Sequence, residues 1–174
     1  MSTATFGIRL GAGGPDELIT YSNSDWAGDP ITLRSIGGYV GFLGTSILYW
    51  SSKTQRGIIA LSSTESEFIQ LAFSVRQVLY VQPIFSDIGF DNIESASIVY
   101  GDNLPAINSI GNDSAKSRTK HIDIRLKFCG EVLSANKLII KYVPTAENIA
   151  DIFTKPLPAP RFRELRDKIV FKLL

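Results

Sequence analysis

Three consecutive β-type segments stand before the first helical pattern of this chain, and they constrain its fold more than any other feature. Residues 18–26 alternate in character and end at Gly-Asp-Pro. Residues 36–43 and 46–51 are rich in β-branched and aromatic side chains, with Gly44-Thr45 between them as a turn. We therefore expect three antiparallel strands connected in sequence order.

A long helical pattern follows these strands. Apolar residues recur at helical spacing after Ser62, which predicts one amphipathic helix. A Ser or Thr of Ser62-Ser63-Thr64 is a reasonable N-cap, with Glu67 three residues after Thr64, and Pro83 is expected to kink or interrupt the helix before Gly89.

The rest of the chain alternates strands with helices. Strands are predicted at 96–101 and 138–143, and helices at 104–110, 116–134, 146–153 and 161–172. Hairpins first and crossovers later predict a mixed α/β fold, with a five-stranded mixed sheet flanked by helices. Residues 1–17 are rich in glycine and predict a flexible lead-in from a preceding region, so that the domain proper is 18–174.

Composition excludes several classes of protein. Hydrophobic residues make up 44% and charged residues 20% of the chain, which is typical of a globular domain rather than a disordered one. No apolar run approaches the roughly 20 residues that span a bilayer, so no membrane partner is expected. Cys129 is the single cysteine, and an internal disulfide is impossible.

Charge is divided unevenly along the chain. Residues 116–174 hold 13 Lys and Arg against 6 Asp and Glu, whereas residues 1–115 hold 5 against 11. An acidic half beside a basic half suits a metal site next to a surface that binds a polyanion. Uneven solvation of an ordinary surface is the alternative.

Four polar positions fall at strand and helix ends. Asn23 lies in the first predicted strand, Glu67 in the first turn of the long helix, Asp102 after the fourth strand and Asp151 at a later helix start. Carboxylates gathered at one sheet edge would repel each other unless cations such as Mg²⁺ filled the space. Two such ions about 4 Å apart can activate water and stabilise a leaving oxygen at phosphorus. From spacing alone, however, helix caps are the more common role for such acids.

Several segments resemble the ribonuclease H domain of copia-type retrotransposons, over nearly the whole chain. They are Tyr-Ser-Asn-Ser-Asp-Trp-Ala-Gly-Asp (21–29), Arg-Ser-Ile-Gly-Gly-Tyr (34–39), Trp-Ser-Ser-Lys-Thr-Gln (50–55), Leu-Ser-Ser-Thr-Glu-Ser-Glu-Phe (61–68), Asp-Asn (102–103), Ser-Arg-Thr-Lys-His-Ile-Asp-Ile-Arg (117–125), Tyr-Val-Pro-Thr (142–145) and Ala-Asp-Ile-Phe-Thr-Lys-Pro-Leu-Pro (150–158).

This resemblance implies a ribonuclease H fold and metal-dependent hydrolysis of the RNA strand in RNA–DNA hybrids. It implies two Mg²⁺ ions, for which Mn²⁺ can substitute, and a reverse transcriptase region upstream in the same polyprotein. It also implies a cytoplasmic virus-like particle or the nucleus as the location.

The resemblance assigns the catalytic and metal-binding positions one by one. Glu67 matches the family's glutamate, and Asp102 and Asp151 match its third and fourth carboxylates. Glu65 lies two residues from Glu67 and therefore on a different helix face. Asn23 stands where the family has its first aspartate, which predicts impaired catalysis.

Three interpretations of Asn23 are open: an engineered change, natural decay or domestication, and compensation by Asp25. Asp25 shares a strand face with Asn23, but two strand residues span about 6.6 Å, too far for a bridging ligand without a register slip. The competing function is a non-catalytic module that binds hybrids or a protein. An integrase-like or resolvase-like enzyme is a weaker third hypothesis.

A basic helix and a small turn are the candidate substrate contacts. Cations suited to phosphates cluster in one segment, and small or polar residues elsewhere could approach 2′-hydroxyl groups. A solvated helix face is the alternative for the first set. The predicted substrate-binding residues are Arg34, Ser35, Asn103, Lys116, Arg118, Lys120, His121 and Arg125.

Overall fold

A computed structural model of the chain describes residues 5–8, 17–57, 59–90, 93, 97–110 and 120–172. Its strands are β1 (Phe6–Gly7), β2 (Leu18–Asp25), β3 (Ile36–Leu43), β4 (Ser46–Thr54), β5 (Ser97–Gly101), β6 (Ile139–Tyr142) and β7 (Phe171–Lys172). Its α-helices are α1 (Ser63–Asp87), α2 (Leu104–Asn108), α3 (Lys120–Ser134) and α4 (Ala159–Ile169), with two 3₁₀ helices at Thr145–Glu147 and Ile149–Phe153. Across these ranges, no helix is both long and apolar enough to traverse a bilayer.

Five of the strands form one mixed sheet, as the order of sequence patterns predicts. The strand order is β4-β3-β2-β5-β6. The pairs β4–β3 and β3–β2 are antiparallel hairpin neighbours, whereas β2–β5 and β5–β6 are parallel pairs reached by helical crossovers. The predicted fold class and mixed sheet are confirmed, and β2 becomes the central strand.

Central strand β2 presents small polar side chains to α1. The Ser24 hydroxyl lies 2.5 Å from that of Ser66, and the Ser74 hydroxyl donates to that of Ser22 at 2.9 Å. All four serines are buried, and each hydroxyl has a partner, so this polar seam carries no unsatisfied group. Side chains alternate along a strand, so Asn23 points to the opposite face of the sheet.

The N-terminus of α1 corrects one prediction. Ser62, not Thr64, is the N-cap, and its hydroxyl accepts from the Glu65 backbone amide at 3.1 Å. The Glu65 carboxylate in turn accepts from the amide of Leu61, the residue before the cap, so the pair that caps α1 lies two residues before Thr64 and Glu67. Glu67 is therefore not a capping residue and is free for another role.

Three further boundaries differ from the predictions. Helix α1 runs through Pro83 to Asp87 rather than breaking at the proline. Residues 146–153, predicted as one helix, form the two 3₁₀ helices, because Asn148 is extended and its side chain caps the second one. Helix α4 ends at Ile169, since Val170 is extended and leads into β7 rather than continuing a helix to residue 172.

The predicted lead-in contains one short strand. Phe6–Gly7 pairs antiparallel with β7, and the Arg166 guanidinium lies 4.4 Å from the centre of the Phe6 ring. The domain boundary at residue 18 remains a prediction, but at this point the N-terminal segment contacts the C-terminal end of the chain.

Gly38 allows the second 3₁₀ helix to reach the sheet. It pairs with Asn23 across the β2–β3 register. A methyl group built on Gly38 would lie 2.7 Å from Phe153 Cβ and 2.9 Å from Thr154 Cγ2. Because these distances are below normal contact, only glycine lets the segment that carries Asp151 sit against Asn23.

We therefore predict that Gly38→Ala lowers the free energy of unfolding by about 1–3 kcal/mol, as overpacking in a tight core does. Denaturant titration measures the change. The control is Ser52→Ala, at the exposed β4 position paired with Gly38, which should stay within about 0.5 kcal/mol of wild type. Equal stability of the two variants would contradict the close approach.

Candidate active site at the centre of the sheet

The site is built around a contact between Asn23 and Asp151. The Asn23 side-chain amide donates to the Asp151 carboxylate and, at 3.3 Å, to the Thr154 hydroxyl. Asn23 is 2% exposed and Asp151 4% exposed. Two of the four predicted site positions, 128 residues apart in sequence, are thus in direct contact.

Lysine and arginine side chains supply the charge that Asp151 needs. Lys155 Nζ lies 2.8 Å from one Asp151 carboxylate oxygen, and Arg161 lies 3.9 Å from the other. Arg161 makes its closer ion pair, at 3.0 Å, with exposed Glu164. Lys155 is therefore the main counter-ion of the buried carboxylate.

The Lys155 ammonium also interacts electrostatically with other carboxylates at the site. Burial lowers the pKa of Lys155, but the hydrogen bond to Asp151 and the charges of Asp151, Asp25 and Asp102 outweigh it and raise the pKa above its usual value. Lys155 is thus the positive centre of an otherwise acidic group of side chains.

Glu67 approaches the same place from α1. Its carboxylate accepts a hydrogen bond from the Ser24 backbone amide at 3.1 Å, which ties the helix to the strand beside Asn23. Burial, followed by the nearby charge of Asp102, raises the pKa of Glu67 to about 8, although the Ser24 amide and Lys155 oppose this shift. In this state the site does not provide enough positive charge to keep Glu67 ionised at neutral pH.

Asp102 follows β5 at the same level as Asn23. The parallel register pairs Tyr21 with Tyr100, and extending it by two residues sets Asp102 beside Asn23. The alternative role of Asp102 as a helix cap is wrong, because Asn103 is the N-cap of α2 and its side-chain oxygen accepts from the Ala106 amide at 2.9 Å. The Asp102 carboxylate is close enough to Glu67 to perturb its pKa.

The chemistry of these side chains suits a hard divalent cation, but their arrangement does not. Glu67, Asp102 and Asp151 offer carboxylate oxygens from three separate elements, the ligand type that Mg²⁺ prefers. Within the described ranges, however, no three His, Cys, Asp or Glu side chains are grouped so as to hold a metal ion. The Asn23 amide and the Lys155 ammonium already satisfy Asp151, so a metal would have to displace Lys155.

Two of the predicted substrate contacts already form hydrogen bonds within the fold. Ser35 is buried, and its hydroxyl accepts from the Ala27 amide at 3.4 Å. Asn103 uses its side-chain oxygen for the α2 cap, as above. Arg34 is half-buried beside Asp29, whose pKa it helps to lower after the hydrogen bonds from Thr32 and Ile31. Of these three side chains, only that of Arg34 forms no hydrogen bond to a described residue.

The predicted basic helix is described only from Lys120. Lys116 and Arg118 lie outside the described residues. Lys120 and His121 are exposed, as phosphate contacts require. Arg125 is half-buried; it donates to the His121 carbonyl at 2.9 Å and lies 5.8 Å from the centre of the Phe73 ring of α1. It thus belongs to a different surface from the Asp151 side of the sheet.

Sequence reasoning missed three residues that shape this site: Gly38, Thr154 and Lys155. Lys155 follows Asp151 by four residues within a segment that the sequence analysis had already singled out, so its spacing was visible. Its role was not, because the helix predicted for this segment ends at residue 153, and the sequence does not show that the chain beyond it turns Lys155 back towards Asp151. Gly38 shows its importance only once Phe153 is seen packed over it.

Comparison with known proteins finds relatives of the chain among transposon polyproteins. It is 33% identical over 167 residues, 96% of its length, to the retrovirus-related Pol polyprotein from transposon RE1 of Arabidopsis thaliana. It is 31% identical over 166 residues to that from transposon TNT 1-94 of Nicotiana tabacum. The chain spans 11% and 12% of these relatives. No family model matches the sequence.

Comparison with solved structures identifies the fold. The chain superposes on ribonuclease H1 from the archaeon Halobacterium salinarum with a TM-score of 0.53 and 18% identity, covering 79% of this chain and 94% of that one. At this identity the likeness concerns the fold alone. Over nearly its whole length the chain is therefore similar to a segment of retrovirus-related Pol polyproteins from copia-type transposons, and it has the ribonuclease H fold.

Proposed function

We propose that this chain is a ribonuclease H that hydrolyses the RNA strand of RNA–DNA hybrids, and that Asn23 impairs its cleavage. The observation that carries the proposal is the direct contact of Asn23 with Asp151, with Glu67 tied to the same strand one residue later. In its polyprotein the domain would act beside the reverse transcriptase region, in a cytoplasmic virus-like particle or the nucleus.

Mg²⁺ is the proposed cofactor, as two ions for which Mn²⁺ can substitute. Glu67, Asp102 and Asp151 would hold it, with the Asn23 side-chain oxygen as a neutral fourth ligand. When bound, the metal would supply the positive charge that activates water for attack on the scissile phosphate. The chain's own residues orient this site: the Ser24 amide positions Glu67, and Thr154 and Gly38 position Asp151 against β2.

Asn23 weakens this machinery through charge and through hydrogen bonding. An amide brings no negative charge where the resemblance implies a carboxylate. Its N–H donates to Asp151, so the group that would hold a cation is already satisfied by a neutral partner. Both effects lower the affinity for a dication, whereas the exposed cations of α3 still offer contacts to phosphate.

A second candidate function follows from the same observation. Because Asn23 and Lys155 together satisfy Asp151, the site is complete without metal. The domain would then be a hybrid-binding module that no longer cuts. Hybrid binding is common to both candidates, and only cleavage separates them.

The decisive experiment is a cleavage assay on a labelled RNA–DNA hybrid with Mg²⁺ or Mn²⁺. Asn23→Asp should raise the cleavage rate by about two orders of magnitude or more, since each 1.4 kcal/mol of barrier is tenfold in rate. Asn23→Asp combined with Asp102→Asn is the matched control and should return the rate to background.

Two results would contradict this account. Efficient cleavage by the unaltered chain, abolished by Asp25→Asn, would make Asp25 the working ligand. An inert Asn23→Asp variant that still binds hybrid would favour the non-cutting module.

The raised pKa of Glu67 couples the state of the site to pH. In the unfolded chain this carboxyl has its ordinary value of 4.5, and in the folded chain its pKa is raised to about 8 by burial and by Asp102. Between these values the folded state binds the extra proton. Stability contributed by this group is therefore fully present below pH 4.5 and is lost as pH rises through 8.

We therefore predict that, in EDTA, the free energy of unfolding falls between pH 5 and pH 8, and that Glu67→Gln removes much of this slope. Denaturant titrations at both pH values measure it. Glu131→Gln, at an exposed carboxylate on α3, should keep the wild-type slope. Identical slopes for wild type and Glu67→Gln would contradict the raised pKa.

A further inference from the structure

A groove between α1 and the outer strands lies apart from the Asp151 side of the sheet. Its volume is about 1020 Å³, and β3, β4, the segment after β4 and the middle of α1 line it. Its walls combine three cations with aromatic rings: Lys53, Arg56, Arg76, Phe73 and Tyr80. None of the described residues that line it is acidic.

The groove is rich in cations although it lies in the acidic part of the sequence. Residues 1–115 contain only five Lys and Arg against 11 acids, yet three of those five cations line this one groove. Lys53, Arg56 and Arg76 are exposed, and none forms an ion pair with a described residue. An uncompensated positive cluster within an acidic half of the chain points to an anionic ligand.

Arg125 extends the positive surface from α3. Its guanidinium lies over Phe73. Burial and the neighbouring charge of Arg76 lower the pKa of Arg125, so two arginines with no described acid between them share this side of the groove. Such like-charge proximity is relieved when an anion binds between them.

The inner wall of the groove contains a buried polar atom without a partner. Gln55 is 4% exposed; its amide nitrogen donates to the Ser66 carbonyl at 3.0 Å, while its side-chain oxygen has no hydrogen-bond partner. A buried, unsatisfied acceptor carries a free-energy cost that a donor from a ligand can remove. Hydroxyl and base amino groups of a nucleotide are such donors, whereas phosphate or carboxylate alone is not.

Aromatic rings supply the remaining recognition element. Tyr80 is 70% exposed on α1, one turn after Arg76, and Phe73 is half-buried on the same helix. Exposed rings alternating with cations are the combination by which proteins bind single-stranded nucleic acid, with bases stacked and phosphates paired.

We propose that this groove binds a single strand of nucleic acid, a few nucleotides long. It begins near the candidate active site, because Gln70 of the groove lies one helical turn after Glu67 and Gln55 is bonded to the adjacent Ser66. A strand separating from a hybrid at the site would reach it. The inference takes from the proposed function only that the chain handles nucleic acid, and it does not require cleavage.

Fluorescence anisotropy of the full chain with labelled dT12, rU12 and a blunt RNA–DNA hybrid tests the proposal. Lys53→Ala with Arg76→Ala should weaken single-strand binding at least tenfold and reduce the salt slope by about 1.4, for two phosphates at 0.7 each. Lys141→Ala with Arg163→Ala removes the same charge from exposed positions elsewhere and should change the affinity less than twofold. Tyr80→Ala should weaken binding several-fold, and Tyr80→Phe should restore it.

Three results would overturn the proposal. Equal losses of single-strand affinity in the two double variants would show that the effect comes from net charge alone. An equal loss of blunt-hybrid binding in Lys53→Ala with Arg76→Ala would make the groove part of the duplex path. Stronger displacement of labelled dT12 by polyglutamate than by unlabelled dT12 at equal concentration would assign the groove to an acidic peptide. Because binding is measured without metal, an inert Asn23→Asp enzyme would not affect any of these readings.

Discussion

The contact of Asn23 with Asp151 is the interaction on which the rest of this structure depends. It joins the central strand to a 3₁₀ helix 128 residues later and closes the far side of the sheet from α1. Two features make it possible: the absent side chain of Gly38 and the ion pair of Asp151 with Lys155. With aspartate in place of Asn23, two buried carboxylates would face one another across this contact.

Local patterns predict the sheet because each strand here is paired by simple rules. Alternation and short glycine turns fix β2, β3 and β4 as neighbours, and helical periodicity fixes α1 and the crossovers. Two failures lie where caps decide: Ser62 is the N-cap of α1, and Asn148 divides the expected helix at 146–153. A third lies inside α1, which Pro83 does not interrupt. A helix cap depends on the backbone angles of a single residue, and the spacing of apolar residues gives no information about those angles.

The site was predictable only in part for a related reason. The resemblance located Glu67, Asp102, Asp151 and the substitution at Asn23, because these occupy short segments with fixed neighbours. Lys155 lies in one of these segments but had no assigned role, since it follows the predicted helix and its contact with Asp151 depends on the path of the chain after residue 153. Ser35 and Asn103 seemed available to substrate, yet the backbone already uses their oxygens. The groove between α1 and the outer strands draws on β3, β4, the segment after β4 and α1. Segments 34–39 and 50–55 contribute to it, but their sequences alone do not show that they meet α1 there.

The central claim is that the Asn23 amide and Lys155 replace cation charge at Asp151. Its most direct measurement is thermal unfolding of wild type and Asn23→Asp in EDTA and in Mg²⁺. In EDTA, Asn23→Asp should be less stable by about 1–3 kcal/mol, because a buried donor becomes a like charge, and Mg²⁺ should restore the variant while changing wild type little. Equal stability of the two proteins in EDTA, with no difference in their response to Mg²⁺, would contradict the account.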